Sequence, residues 1–156
     1  MTHFLGTHQN KLDAKGRVSI PAPFRQGLRV LDGSDPAAGV SMILRPSHTL
    51  PCIEAWPTTR FNEMLARLDD LDEYSEDYLI MATSLGGGAL PHDSDKEGRI
   101  ALADGLRDHA GIKENVAFMG IGKIFQIWEP AAAAKRYADA SAAAAARKLS
   151  VPRRAD

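Results

Sequence analysis

The 156-residue chain carries 19 basic and 20 acidic side chains, and a net charge of −1 argues against a protein that holds nucleic acid through a uniformly basic surface. Its single cysteine, Cys52, excludes an intrachain disulfide, and no apolar run approaches the ~20 residues of a membrane span. The N-terminal segment Met1–Gly6 lacks the basic and apolar stretches of a secretory signal, which predicts a cytoplasmic protein of one domain, or of two small halves sharing a core.

Charge is unevenly spread along the chain. Residues 1–30 hold Lys11, Lys15, Arg17, Arg25 and Arg29 against Asp13 alone, whereas residues 54–78 hold two basic and eight acidic side chains. A particle polarised in this way can steer phosphate to its basic end. In chain order, His3–Gln9 and Lys11-Leu12 read as extended and lead into Asp13-Ala14-Lys15-Gly16-Arg17. Asp at the first position of a four-residue turn accepts from the turn's amides, and Gly at the last takes positive φ, which predicts a hairpin closed at Asp13–Gly16. Arg17-Val18-Ser19-Ile20 alternates like a half-buried strand, and Pro21 and Pro23 end it and open a short helix through Arg25 and Leu28. The turn formers Asp32-Gly33-Ser34-Asp35-Pro36 make a loop, after which Val40–Leu44 and Leu50–Trp56 predict two paired strands.

Phe61, Met64, Leu65, Leu68 and Leu71 then recur at helical spacing behind the capping candidates Thr58 and Thr59, which predicts an amphipathic connecting helix. A second helix is expected from Ser75, with Glu76 and Asp77 in its first turn, ending at Gly86-Gly87-Gly88. Asn115–Met119 and Lys123–Trp128 take the place of the earlier strand pair. From Pro130 an alanine-rich helix favours helical backbone but buries little, so a peripheral arm is expected there, running into a basic tail.

The stretch from Asp13 is said twice. Asp95-Lys96-Glu97-Gly98-Arg99-Ile100 repeats it 82 residues on, aligning Asp13 with Asp95, Gly16 with Gly98, Arg17 with Arg99, Val18 with Ile100, Phe24 with Leu106 and Arg25 with Arg107. A repeated supersecondary unit follows. It divides the chain into a first half (1–57), connecting helices (58–88), a second half (89–130) and a C-terminal helix with tail (131–156).

Chemistry-bearing patterns are sparse. Gly86-Gly87-Gly88 has no Gly-Lys-Ser/Thr after it and reads as a linker and helix stop, not a phosphate loop. Asp93-x-Asp95-x-Glu97-Gly98 with Asp104 imitates a calcium loop, yet no helix precedes it and Asp stands where the bidentate Glu belongs. The five histidines are scattered without zinc-ligand spacing, and no nucleophile elbow is present, so neither a metal nor an enzyme is expected. Lys15 and Arg17, in or just after a turn tip, can reach phosphate and present a bidentate fork to a guanine edge; the competing reading pairs Arg17 with Asp13 and leaves Lys15 solvated. Asp13 itself reads as a turn-holding residue. Phe24, Phe61, Trp56, Phe118, Phe125 and Trp128 read as core or subunit interface, not as base-stacking platforms.

Phe4-x-Gly6, Asp13-x-Lys15-Gly16-Arg17-x-x-Ile20-Pro21 and Asp95-x-x-Gly98-Arg99 through Trp128 resemble the MraZ family of bacterial transcriptional regulators, marked by two Asp-x-x-x-Arg motifs in one chain. The departures are Ser94, where an apolar residue is usual, and Ala103, which replaces the first repeat's proline. The resemblance implies an α+β fold of tandem AbrB-like swapped-hairpin halves forming a small β-barrel-like core with peripheral helices. It also implies a ring homo-oligomer larger than a dimer, bound to direct repeats of double-stranded DNA upstream of division and cell-wall genes. The protein would be nucleoid-associated, with no cofactor, membrane or small-molecule substrate. Lys15 and Arg17, with Lys11 and His8 in the same window, are the expected DNA contacts. Asp13, Gly16, Asp95, Gly98 and Arg99 are the expected turn-holding residues. Residues 90–99 hold three carboxylates against two cations, so the second turn is expected to serve structure and not DNA. The alternative is a DNA-independent assembly or partner-binding protein of the same fold.

Overall fold

The computed structural model describes residues 2–33, 35 and 37–154, so Ser34 and Pro36 of the expected turn-former loop lie outside the described residues. In chain order the elements are β1 (Thr7–Lys11), β2 (Arg17–Ser19), α1 (Ala22–Asp32), β3 (Ser41–Pro46), β4 (Ile53–Trp56), α2 (Thr58–Ala66) with a 3-10 turn at Arg67–Asp70, and α3 (Glu76–Gly86). They continue as β5 (Leu90–Asp93), β6 (Arg99–Ala101), α4 (Asp104–Ala110), β7 (Asn115–Gly120), β8 (Phe125–Trp128) and α5 (Pro130–Ala146). The fold is α+β, and every strand pairing is antiparallel.

Six strands form one sheet in the order β1-β7-β8-β4-β3-β5, and β2 and β6 form a separate two-stranded ribbon. This departs from a barrel: the large sheet is open, with β1 and β5 at its edges. Strands from early and late in the chain interleave, since β1 lies on β7, β5 on β3, β4 on β8 and β2 on β6.

The turn at Asp13–Gly16 forms, with Gly16 N donating to Asp13 O at 3.0 Å and Asp13 N to Arg17 O at 2.8 Å. The hairpin expected to flank it does not. β1 zips to β7 over five residues, while β2 opposes β6 so that Val18 faces Ile100, each about 1% exposed, over the core. Burying those two side chains against each other requires the ribbon to leave β1, and the turn becomes the corner between sheet and ribbon. The expected strand pairs do form, as β3 with β4 and β7 with β8.

The main core gathers Phe4, Val18, Ile20, Phe24, Leu28, Ile100, Phe118 and Phe125 under the ribbon and α1. Alternation along β7 and β8 sends Ala117, Met119 and Trp128 to the other face, where they meet Cys52 and Ala133 of α5. Of the α5 side chains only Ala133 is fully buried, and Glu129 caps the helix by accepting from Ala131 N at 3.0 Å and Ala132 N at 2.8 Å.

Two expected details fail in the connecting region. Neither Thr58 nor Thr59 caps α2; Pro57 holds the cap position with no side-chain acceptor, and Thr59 Oγ1 donates to Asp32 Oδ1 at 3.1 Å, tying α2 to the end of α1. The helix also ends at Ala66, leaving Leu71 beyond the 3-10 turn and exposed. Ser75 does cap α3, accepting from Tyr78 N at 3.1 Å.

Candidate nucleic-acid interface

Both repeated turns are built alike, from one carboxylate outward. Asp13 Oδ1 accepts from Lys15 N at 2.8 Å and Arg17 N at 2.9 Å, and its Oδ2 accepts from Arg17 Nε at 2.8 Å. Asp95 repeats the pattern with Glu97 N at 3.0 Å, Arg99 N at 2.9 Å and Arg99 Nε at 2.7 Å. These bonds, first of all the backbone N–H of Arg17 and of Arg99, hold both carboxyls below the usual carboxylate value. The Arg99 guanidinium is pushed up in turn, chiefly by its hydrogen bond to Asp95. Gly16 and Gly98 close the turns at φ +76° and +83°, a region side chains rarely enter.

The ribbon decides where the arginines point. Arg17 stands opposite Ala101 and Arg99 opposite Ser19, one residue away from the buried Val18–Ile100 pair. With a period of two, both arginines leave by the outer face of the ribbon, at its two ends. Their side chains are 34% and 36% exposed. In each the Nε edge is occupied by its Asp. Among the described residues the two Nη atoms of Arg17 have no partner, whereas Arg99 Nη2 lies 3.5 Å from Glu97 Oε2.

Arg25 and Arg107, aligned in the repeat, have a role that sequence reasoning missed. Arg25 donates to Ile20 O at 2.5 Å and its side chain crosses Gly98, where an added Cβ would fall 2.3 Å from Cδ. Arg107, ion-paired with Asp104, lies over Gly16, 3.6 Å from an added Cβ. Each helix therefore braces the turn of the other repeat. Their register in the repeat was the only sequence signal.

The expected contact residues are not all brought together. Lys15 is exposed on the first tip beside Arg17. Lys11 lies on the exposed face of β1 with Thr7 and Gln9, while His8 and Asn10 take the half-buried face. The His8 ring meets Phe24 edge-on at 5.1 Å, and its Nε2 is buried, with no hydrogen-bond partner among the described residues. Asn10 donates instead to Ser19 O at 2.7 Å, pinning β1 to the ribbon.

In the calcium-like stretch, Asp93 accepts from Ser41 Oγ at 2.6 Å and Asp95 holds its turn. No group of three His, Cys, Asp or Glu side chains able to hold a metal occurs among the described residues. Burial pushes the Cys52 thiol up to about 12. Among the described residues no helix is long and apolar enough to cross a membrane.

Both turns with their arginines lie within segments that match a family model described as "MraZ protein, putative antitoxin-like", over residues 3–78 and 85–150. The chain belongs to the MraZ family. It is 54% identical over 153 residues to "Transcriptional regulator MraZ" of Gluconacetobacter diazotrophicus, covering 97% of this chain and 93% of that protein. The protein of the same name from Gluconobacter oxydans is 51% identical over 155 residues, 99% of this chain and 91% of its own length. That from Pelagibacter ubique is 41% identical over 129 residues, 83% and 79%. Each of the two MraZ segments carries one Asp-x-x-x-Arg turn, Asp13–Arg17 in the first and Asp95–Arg99 in the second.

Proposed function

We propose that this chain is a transcriptional regulator that binds double-stranded DNA sequence-specifically through its first tip, without catalysis or cofactor. The observation that carries this reading is the state of Arg17. Asp13 fixes its Nε edge, and both Nη groups remain directed outward without a partner among the described residues. A guanidinium immobilised on one edge and free at the other is preorganised to donate two parallel hydrogen bonds to a guanine edge. Lys15 beside it supplies a phosphate contact, and Lys11 a further cation at the end of β1. The relatives named transcriptional regulators support the assignment.

The resemblance adds the finer features: AbrB-like swapped-hairpin halves at 1–57 and 89–130 joined by 58–88, a C-terminal arm at 131–156, and direct DNA repeats near division and cell-wall genes. It also adds a nucleoid-associated cytoplasmic protein acting as a ring. One tip offers few phosphate contacts, so affinity is assigned to several tips of one ring on adjacent repeats. Fluorescence anisotropy on duplexes carrying tandem sites tests this. Arg17→Ala is expected to abolish specific binding with fold and assembly intact, since a lost bidentate contact costs about 1–3 kcal/mol per subunit. Lys15→Ala is expected to weaken all duplexes alike and flatten the salt dependence by about one unit of slope. Absence of salt-dependent binding to duplex DNA would favour the DNA-independent alternative.

A further inference from the structure

The first tip is not built by the first repeat alone. β1 and β7 continue their pairing past the sheet, with Leu12 N donating to Glu114 O at 2.8 Å, and the same register sets Lys113 across from Asp13. Lys113 belongs to the second repeat, in the short link between α4 and β7. That link is anchored by Ile112, which is 6% exposed and donates its N–H to Arg107 O at 3.0 Å. Lys113 itself is exposed and shares an open cleft with Gln9 and Asn115. Two-residue alternation puts it on the same face as Lys11, which stands opposite Asn115.

The second tip repeats this arrangement without the cations. Ser94 N donates to Val40 O at 2.8 Å, which sets Gly39 across from Asp95 as Lys113 is across from Asp13. No side chain fits there, since a Cβ on Gly39 would fall 2.1 Å from Ser94 O. Asp93, bonded to Ser41, takes the place of Lys11, and Glu97 takes the place of Lys15. Three lysines at one tip thus correspond to two carboxylates and a glycine at the other. Glu114 and Glu129 border the cleft of Lys113, but Glu129 is engaged by two amides of α5. Among the described residues no ion pair joins Lys11, Lys15 or Lys113 to an acidic side chain. Like charges gathered at one turn repel, and a polyanion laid across them relieves that repulsion.

We propose that Lys113 is a phosphate-contact residue of the first tip, so that the DNA site is assembled from both repeats. This deepens the proposed function and rests on it. A tip that enters a major groove about 12 Å wide brings the residues just behind it to the phosphates at the groove's edge. Arg17 meets a base edge there, while Lys113, with Lys11 on the same face, holds the backbone. A phosphate contact carries no base preference, so Lys113 sets affinity and salt dependence and leaves the choice of sequence to Arg17.

Fluorescence anisotropy over a salt series tests the assignment, using one duplex selected by the wild-type protein from random-sequence DNA and one unselected duplex. Lys113→Gln is expected to weaken both by a similar factor and to flatten the slope of log affinity against log salt by about one unit per engaged tip, with the melting temperature unchanged. Lys113→Arg is expected to keep the wild-type slope. Lys123→Gln removes the same charge at the opposite end of β7 and is also expected to keep that slope. When phosphates are replaced one at a time by uncharged methylphosphonates, one position is expected to weaken the wild type and leave Lys113→Gln unaffected. A wild-type slope in Lys113→Gln overturns the assignment. So does an equal flattening by Lys123→Gln, which would report net charge alone, and so does a loss in Lys113→Gln confined to the selected duplex, which would mark a base contact. Wild-type protein that selects no duplex overturns the DNA reading itself, a result distinct from failure of the Lys113 variants alone.

Discussion

At Gly98 the methyl of an alanine would fall 2.3 Å from Arg25 Cδ and 2.7 Å from its Nε, on backbone with φ +83°, whereas at Gly16 the nearest atom stands 3.6 Å away. Both substitutions incur left-handed strain of about 1–2 kcal/mol, but only Gly98→Ala adds a collision, of about 1–3 kcal/mol. Urea denaturation is expected to show Gly98→Ala as the more destabilised variant. The arginines differ in the reverse sense. Glu97 already occupies part of the Arg99 fork, so Arg99→Ala is expected to lower the melting temperature slightly and leave intrinsic DNA affinity largely intact, the opposite of Arg17→Ala. The two turn aspartates also set an acid response. Their carboxyls titrate below the usual 3.8, so the stability they confer is fully present above that pH and is lost as pH falls through their lowered values. Thermal melts between pH 5 and 2 are expected to show this loss in the wild type and a smaller one in the Asp13→Asn, Asp95→Asn double variant.

Among the elements, the two central strand pairs solve one problem in two ways. In β3 and β4, Arg45 stands opposite Glu54, paired at 3.1 Å, and Trp56 Nε1 donates to the same carboxylate at 3.1 Å. In β7 and β8 the corresponding positions hold Met119 and Gln126, with Trp128 Nε1 donating to Gln126 Oε1 at 3.0 Å. Arg45 and Glu54 are 3% and 14% exposed, so removing the arginine alone strands a carboxylate, at a cost of about 3–5 kcal/mol. Arg45→Met is therefore expected to destabilise strongly, and Arg45→Met with Glu54→Gln, which converts the first pair into the second, to recover most of the loss in chemical denaturation. The strand pairs were legible because Val40–Leu44 and Lys123–Trp128 are short apolar runs bounded by turn residues. The ion pair was not, since nothing in the spacing of Arg45 and Glu54 shows that strand pairing sets them opposite each other inside the protein. The same holds for His8. Its window was basic, but only the pairing of β1 with β7 shows which of its alternating side chains turn inward. Gly16 and Gly98 were legible through turn chemistry, while Arg25 and Arg107 act on the other repeat's turn and so escape any local reading.

For the molecule as a whole, the interleaving of early and late strands governs folding. β1 has its five-residue partner in β7, and β5 finds its own in β3, so neither repeat can complete its sheet without the other. Fragments 1–88 and 89–156 are expected to be largely unstructured when separate and to regain strand signal in circular dichroism when mixed. The non-local pairings also predict slow folding for a chain of this size. Cys52 reports on the process: with its thiol buried and pushed up to about 12, labelling by a thiol reagent at pH 8 is expected to proceed only as fast as the protein opens. The ribbon carries a different consequence. Two identical chains meeting across a true dyad present identical tips, and such a pair is matched to a palindrome. Here both tips belong to one chain and have diverged, one guanidinium fork open and the other shared with Glu97. A particle with unlike ends has a heading on the duplex. The site it reads under the proposed function is then written in one direction, and inverting that site would turn the whole assembly to face the other way.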